Sequence, residues 1–191
     1  MTNQFKELLL ARRSCRKYED KAVPQELIEQ VVEAGRLAPS GSNVQLSHFI
    51  VVQTPDKLEA IRACVEKELA LLDPETPEHQ ASKVAINAAR KGNYNFFFSA
   101  PALILVANRV DNFNFFADSS CAMQNMMLMA TELGLGSCWV NQFRRAADPP
   151  SLRALLNLAA GEEVCAGLAL GYPQKAAPPA GPPKGNPVTF L

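Results

Sequence analysis

Arg12, Arg13 and Arg16, with Ser14 between them, place three guanidinium groups and a hydroxyl within five residues. Forked cations beside a hydroxyl suit a phosphate, which accepts several charge-assisted hydrogen bonds at once, and Arg12 and Arg16 share a face if the turn is helical. The same residues also read as a solvated basic segment balanced by Glu19 and Asp20. A second group occupies residues 38–48 (APSGSNVQLSH), where Ser40, Gly41, Ser42, Asn43 and Gln45 crowd small hydrogen-bonding groups together. They could grip the edge of a heteroaromatic ring, or simply turn the chain from helix to strand. A third group lies in residues 133–143 (LGLGSCWVNQF), with close glycines, the single Trp and two amides. Gly134 and Gly136 lack the spacing of a dinucleotide phosphate loop and read more simply as a helix cap.

Other chemistries find little material. The two histidines, His48 and His79, leave almost nothing for a metal cluster or a nucleophile–His–acid triad. The five cysteines are odd in number and form no Cys-x-x-Cys pair, which fits free thiols in a reducing compartment. Cys121 and Cys165 sit among apolar neighbours and are expected to be small buried hydrophobes. Cys138 and Arg144 match the Cys-x5-Arg spacing of a cysteine phosphatase, but the intervening WVNQF has no glycine to turn amides onto a phosphate, and no Ser or Thr follows Arg144.

The elements that must position these groups follow from periodicity. Residues 3–12 form a short helix leading into the basic cluster. From Pro24, apolar positions at Leu27, Ile28, Val31, Val32 and Leu37 predict a helix that stops at Pro39-Ser40-Gly41. Residues 48–53 read as a buried strand, and Pro55-Asp56 opens a helix through about Leu71. Residues 73–79 form a loop or lid, and residues 80–95 are helix-compatible. The continuous apolar run 101–108 (PALILVAN) predicts a strand covered on both faces. After Asp118 comes a helix with almost no polar face, expected to be buried all round. Gly134 ends it; residues 137–140 form a strand, Asp148-Pro149 starts a short helix, and residues 164–170 form a final strand. From Tyr172 on, six of twenty residues are proline, so the tail is extended, with a reach of at most ~60 Å. Its apolar ending, Val188, Phe190 and Leu191, favours an arm docked on a partner subunit over a disordered tail.

With 191 residues, 48% of them apolar, the chain can bury a core of its own and is expected to form a single domain, 1–191, with 172–191 as the arm. Lys plus Arg and Asp plus Glu each total 19, so no whole-molecule field favours nucleic acid or anionic lipid, and any anion site must be local. No apolar run approaches the ~20 residues of a membrane span, and a cytoplasmic protein is expected.

The runs RRSCRKY, VPQELIEQVVEAGRLAPSGSNVQ and DSSCAMQNMMLMATELGLGSCWV, followed by GLALGYP and a Pro-Lys in the tail, together resemble the FMN-dependent nitroreductase family. The resemblance covers nearly the whole chain and is weakest from about 56 to 100. It implies an α+β fold: a central mixed, mostly antiparallel sheet flanked by helices, with the C-terminal arm exchanged in a homodimer whose active sites lie at the interface. It implies that Arg12, Arg13, Ser14 and Arg16 contact the FMN phosphate and the pyrimidine end of the flavin, and that Pro39, Ser40, Asn43 and Gln45 reach the flavin from the other subunit. Trp139, Val140, Asn141 and Gln142 line the side of flavin N5, and Lys184 completes the phosphate site. The chain departs from the pattern at Leu46-Ser47, where many relatives have Pro-Trp, at Asn186 in place of a second basic residue, and at Asn141, where several relatives carry an acid or Gly.

The implied activity takes hydride from NAD(P)H onto FMN and passes electrons to a small organic acceptor, such as a nitroaromatic or quinone, by double displacement. Such chemistry needs no side-chain general base, in keeping with the scarcity of histidine. A cation such as Arg16 near the pyrimidine end favours the reduced flavin. The alternatives are a non-catalytic flavin carrier or sensor, which only turnover distinguishes, and the much weaker cysteine-phosphatase match.

Overall fold

The computed structural model describes residues 4–76, 82–92, 94–145, 149–178, 180–181, 185 and 187–190. Four strands form one sheet in the order β1-β2-β4-β3: β1 (His48–Val52), β2 (Ala102–Arg109), β3 (Gly136–Val140) and β4 (Glu162–Gly171). Every pairing within it is antiparallel, and among the described residues the parallel component is a bridge from Ser14 to Ser137 of β3. The apolar run read as a strand covered on both faces is β2, which is buried from Ala102 through Asn108. Successive residues of a strand face opposite ways. Leu103 and Leu105 accordingly enter one core, with Val65, Phe96 and Leu152, whereas Ile104 and Val106 enter the other, with Ile28, Met123 and Met126.

Helices cover both faces. The first core is capped by α3 (Pro55–Leu71), α4 (Lys83–Arg90) and α7 (Pro150–Leu156); the second by α2 (Gln25–Arg36) and α5 (Phe115–Glu132). Pro55 and Pro150 each sit in a first turn, where a missing N–H costs nothing. Helix α4 is shorter than the helix-compatible stretch 80–95, because Gly92 turns left-handed with φ 76° just beyond it. Helix α5 starts three residues before Asp118, and that acid lies inside it. A four-residue helix, α6 (Gln142–Arg145), follows β3 without any sequence signal.

One expectation needs correction. Helix α5 is not buried all round: Ala117, Cys121 and Gln124 are exposed, because no described element covers that side, and Cys121 is therefore not the buried thiol its apolar neighbours suggested. Cys165, on β4, is buried. The described start of the tail pairs with residues of its own chain. Gln174 N donates to Lys17 O at 3.1 Å, Glu19 N to Tyr172 O at 2.8 Å, and Ala180 N to Leu10 O at 2.8 Å, so residues 172–178 and Ala180 run back along residues 10–19. Further on, Val188 and Phe190 are 74% and 93% exposed.

Candidate functional site

The basic segment follows α1 (Gln4–Ala11), a helix with no buried residue, and is stitched to the edge of β3. Cys15 N donates to Ser137 O at 2.8 Å. The approach is close because residue 136 is glycine: a Cβ there would stand 2.7 Å from Cys15 Sγ and 2.8 Å from Cys15 Cβ. Tyr18, buried in the first core, donates its hydroxyl to Cys15 O at 2.8 Å and lies 3.3 Å from Ala169 O, pinning the far end. Burial raises that hydroxyl above the ordinary tyrosine range.

Within this segment Arg12 is half-buried, and Arg13, Ser14 and Arg16 are exposed. Arg13 Nη1 donates to Pro178 O at 3.0 Å, so the returning tail holds it. The Arg16 guanidinium lies 5.8 Å from the centre of the Phe98 ring. Among the described residues, no ion pair involves Arg12 or Arg16. A groove of about 400 Å³ runs between this segment and the tail, lined by Arg13, Ser14, Arg16, Lys17 and Lys175. Lys184 lies outside the described residues, as does Asn186.

At the other end of β3, Trp139 Nε1 donates to Asn141 Oδ1 at 2.6 Å. Val140 is buried, Asn141 exposed and Gln142 half-buried. Gln142 Nε2 donates to Tyr94 Oη at 3.0 Å, while its Oε1 is shielded from solvent and has no hydrogen-bond partner among the described residues. A buried acceptor left open is uncommon in a folded chain.

The second polar segment sits elsewhere. Residues 41–43 make a single 3-10 turn, and Ser42, Asn43 and Gln45 all have left-handed backbones, with φ of 51°, 56° and 52°. Such conformations cost energy in non-glycine residues and survive where surroundings impose them. The imposing contacts are hydrogen bonds within the loop and to α5. Gln45 N donates to Ser40 Oγ at 3.0 Å, and Gly41 N donates to Asp118 Oδ1 at 2.9 Å. Asp118 Oδ2 accepts from Asn112 Nδ2 at 3.0 Å, and Asn108, fully buried on β2, reaches Ser47 Oγ at 3.3 Å. Ser47, half of the Leu46-Ser47 departure, thus joins the buried polar node. Pro39, Ser40 and Gln45 border a pocket of about 310 Å³ shared with Ser47, Asp118 and Ala122.

The structure therefore gathers the candidates into two groups rather than one. Residues 12–16 and 139–142 share the β3 edge, whereas residues 39–45 sit at the start of α5. The two cavities touch α5 at Asp118 and Ala122 and at Thr131, nine to thirteen residues apart, or about 14–20 Å along a helix axis.

The phosphatase spacing is not supported by this geometry. Cys138 is 2% exposed within the first core, and burial raises its thiol further than the Arg16 charge lowers it, the opposite of an activated nucleophile. Arg144 stacks on Phe116 at 4.3 Å.

A family model described as the nitroreductase family matches residues 9–172. The chain belongs to the nitroreductase family. Its fold superposes on a nitroreductase of Bacteroides fragilis solved with bound FMN, at 31% identity and a TM-score of 0.87 over 100% of both chains. It is 29% identical to an Archaeoglobus fulgidus protein provisionally named NADH dehydrogenase/NAD(P)H nitroreductase, over 88% of this chain and 84% of that one. It is also 29% identical to human iodotyrosine deiodinase 1, over 92% of this chain but only 63% of the relative.

For a nitroreductase-family chain, the residues that sequence reasoning missed are those acting on other site residues. Asp118 was legible only as a helix start, although a lone acid inside an apolar helix is a signal in itself. Tyr94 and Phe98, which touch Gln142 and Arg16, lie where the resemblance is weakest and carried no signal.

Proposed function

We propose that the chain is an FMN-dependent oxidoreductase that takes hydride from NAD(P)H and passes electrons to a small organic acceptor by double displacement. The observation that carries this reading is the β3 edge, where a cationic, hydroxyl-bearing segment and the open Gln142 acceptor lie along one short strand. That donor set fits FMN: Arg12, Arg13, Ser14, Arg16 and Lys184 would hold the phosphate and the pyrimidine end, and Trp139, Val140, Asn141 and Gln142 the ring. The FMN in the Bacteroides fragilis relative supports the cofactor, and the names of the relatives support the donor. Bound flavin supplies the electron transfer; the chain's residues bind it, orient it and set the charge around it. Because the relatives include both nitroreductases and deiodinases, a nitroaromatic and a halogenated phenol are both reasonable trial acceptors.

We further infer that the active sites are shared between two copies of the chain, with Pro39, Ser40, Asn43 and Gln45 supplied by the partner. The separation of the two cavities within one chain supports this, as do the apolar side chains left exposed on α1.

The test is direct. Purified protein is expected to be yellow and to release FMN on denaturation. With NAD(P)H and a nitroaromatic acceptor, reciprocal plots at several fixed acceptor concentrations are expected to be parallel. A colourless protein that takes up no FMN overturns the reading; bound FMN without turnover leaves a flavin carrier; intersecting plots rule out a single site used in turn.

A further inference from the structure

Gln142 opens α6 directly after β3, with one end of its amide held by the Tyr94 hydroxyl at 3.0 Å and the other end, Oε1, buried and unpartnered among the described residues. Tyr94 is itself firmly placed. Its N–H donates to Glu66 Oε1, and its carbonyl accepts from Arg62 Nη1 at 3.3 Å. Arg62 and Glu66 form a 2.8 Å ion pair on α3, with each side chain only 14% exposed. Two residues on, Phe96 meets Phe143 edge to face at 5.1 Å, both rings buried, so the stretches following Tyr94 and Gln142 interlock. Phe98 then lies beside Arg16, and Phe98 and Ser99 hold left-handed backbones, with φ of 61° and 55°. Residues 94–98 thus contact an amide at one end of the candidate site and a cation at the other.

We propose that Tyr94 is a positioning residue of the flavin site: its hydroxyl fixes the Gln142 amide so that Oε1 accepts an N–H of the bound flavin. The inference rests on the flavin reading above. It follows from hydrogen-bond inventory. A primary amide offers donors on nitrogen and acceptor positions on oxygen; Tyr94 engages the nitrogen, and the oxygen is left for a ligand. The reduced isoalloxazine ring carries an N–H at N5, the side to which Gln142 is assigned, and meets that need. Without the Tyr94 hydroxyl the amide can rotate and the acceptor loses its aim, while the aromatic ring of a Phe at the same position still fills its place.

FMN affinity is measured for wild-type protein, Tyr94→Phe, Gln142→Leu and the double variant. Oxidised FMN is followed by fluorescence titration; reduced FMN is obtained from the midpoint potential of the bound cofactor. Tyr94→Phe is expected to weaken binding about fivefold in at least one redox state, the worth of one ordinary hydrogen bond. Gln142→Leu should weaken it at least as much, and adding Tyr94→Phe to Gln142→Leu should change nothing further. No loss in either state, an additive loss in the double variant, or a Tyr94→Phe chain that fails to fold would each overturn the positioning role. Wild-type protein that takes up no FMN would remove the flavin reading and this inference with it, whereas FMN-binding wild type with an indifferent Tyr94 removes the inference alone.

Discussion

Arg12 and Arg16 flank the point where the basic segment is tied to β3, and neither is engaged by a carboxylate among the described residues. Cations held beside a hydroxyl but not neutralised by the protein are suited to a phosphate, whose charge-assisted hydrogen bonds are worth roughly 1.5–3 kcal/mol each. Arg12→Ala is therefore expected to weaken FMN binding by about tenfold or more while leaving riboflavin, which lacks the phosphate, much less affected. Parallel titrations with the two flavins check this; equal losses would place Arg12 away from the phosphate. These residues were legible from type and spacing alone, because a phosphate imposes a dense local demand. Tyr94 and Asp118 were not. Their roles, holding Gln142 and Gly41, exist only through contacts between segments 48 and 77 residues apart in the chain.

The elements were legible where one physical signal dominated. The apolar run that became β2 could only be a strand with both faces covered, and the 3.6-residue recurrence from Leu27 to Leu37 could hardly be anything but α2. Helix α5 shows the limit of such reasoning: its composition predicts burial, but which side is covered depends on what packs there, and Cys121 faces outward. Close approach is equally invisible before folding. Gly136 reads as part of a helix cap, yet the structure makes it the place where Cys15 lies against β3. Gly136→Ala would put a methyl group 2.7 Å from Cys15 Sγ and 2.8 Å from its Cβ. The second contact is not the end of a flexible side chain, so the basic segment must shift. Overpacking of this kind typically costs about 1–3 kcal/mol. A lower Tm in thermal unfolding and weaker FMN retention are both expected, and an alanine variant matching wild type in both would show that this contact does not set the segment's position.

At the scale of the whole molecule, a single copy leaves two things incomplete. The polar loop at residues 39–45 and the basic segment at 12–16 stand against different parts of α5, about 14–20 Å apart along its axis. In addition, α1 buries none of its residues and leaves Phe5, Leu9 and Leu10 exposed. A two-fold dimer would answer both, because an isologous interface brings one copy's loop to the other copy's β3 edge twice over. Suppose Arg12→Ala and Asn43→Ala proteins are each inactive as homodimers and are unfolded and refolded together in equal amounts. Random pairing makes about half of the dimers mixed, and each mixed dimer then carries one doubly damaged site and one intact site. About a quarter of wild-type activity is expected to return, half of the dimers contributing one of two sites. If Arg12 and Asn43 served the same site from the same chain, every site in a mixed dimer would carry one lesion. A mixed dimer verified by differential tagging that shows no recovered turnover would thus overturn the shared site, and its flavin content would show separately whether cofactor binding survives.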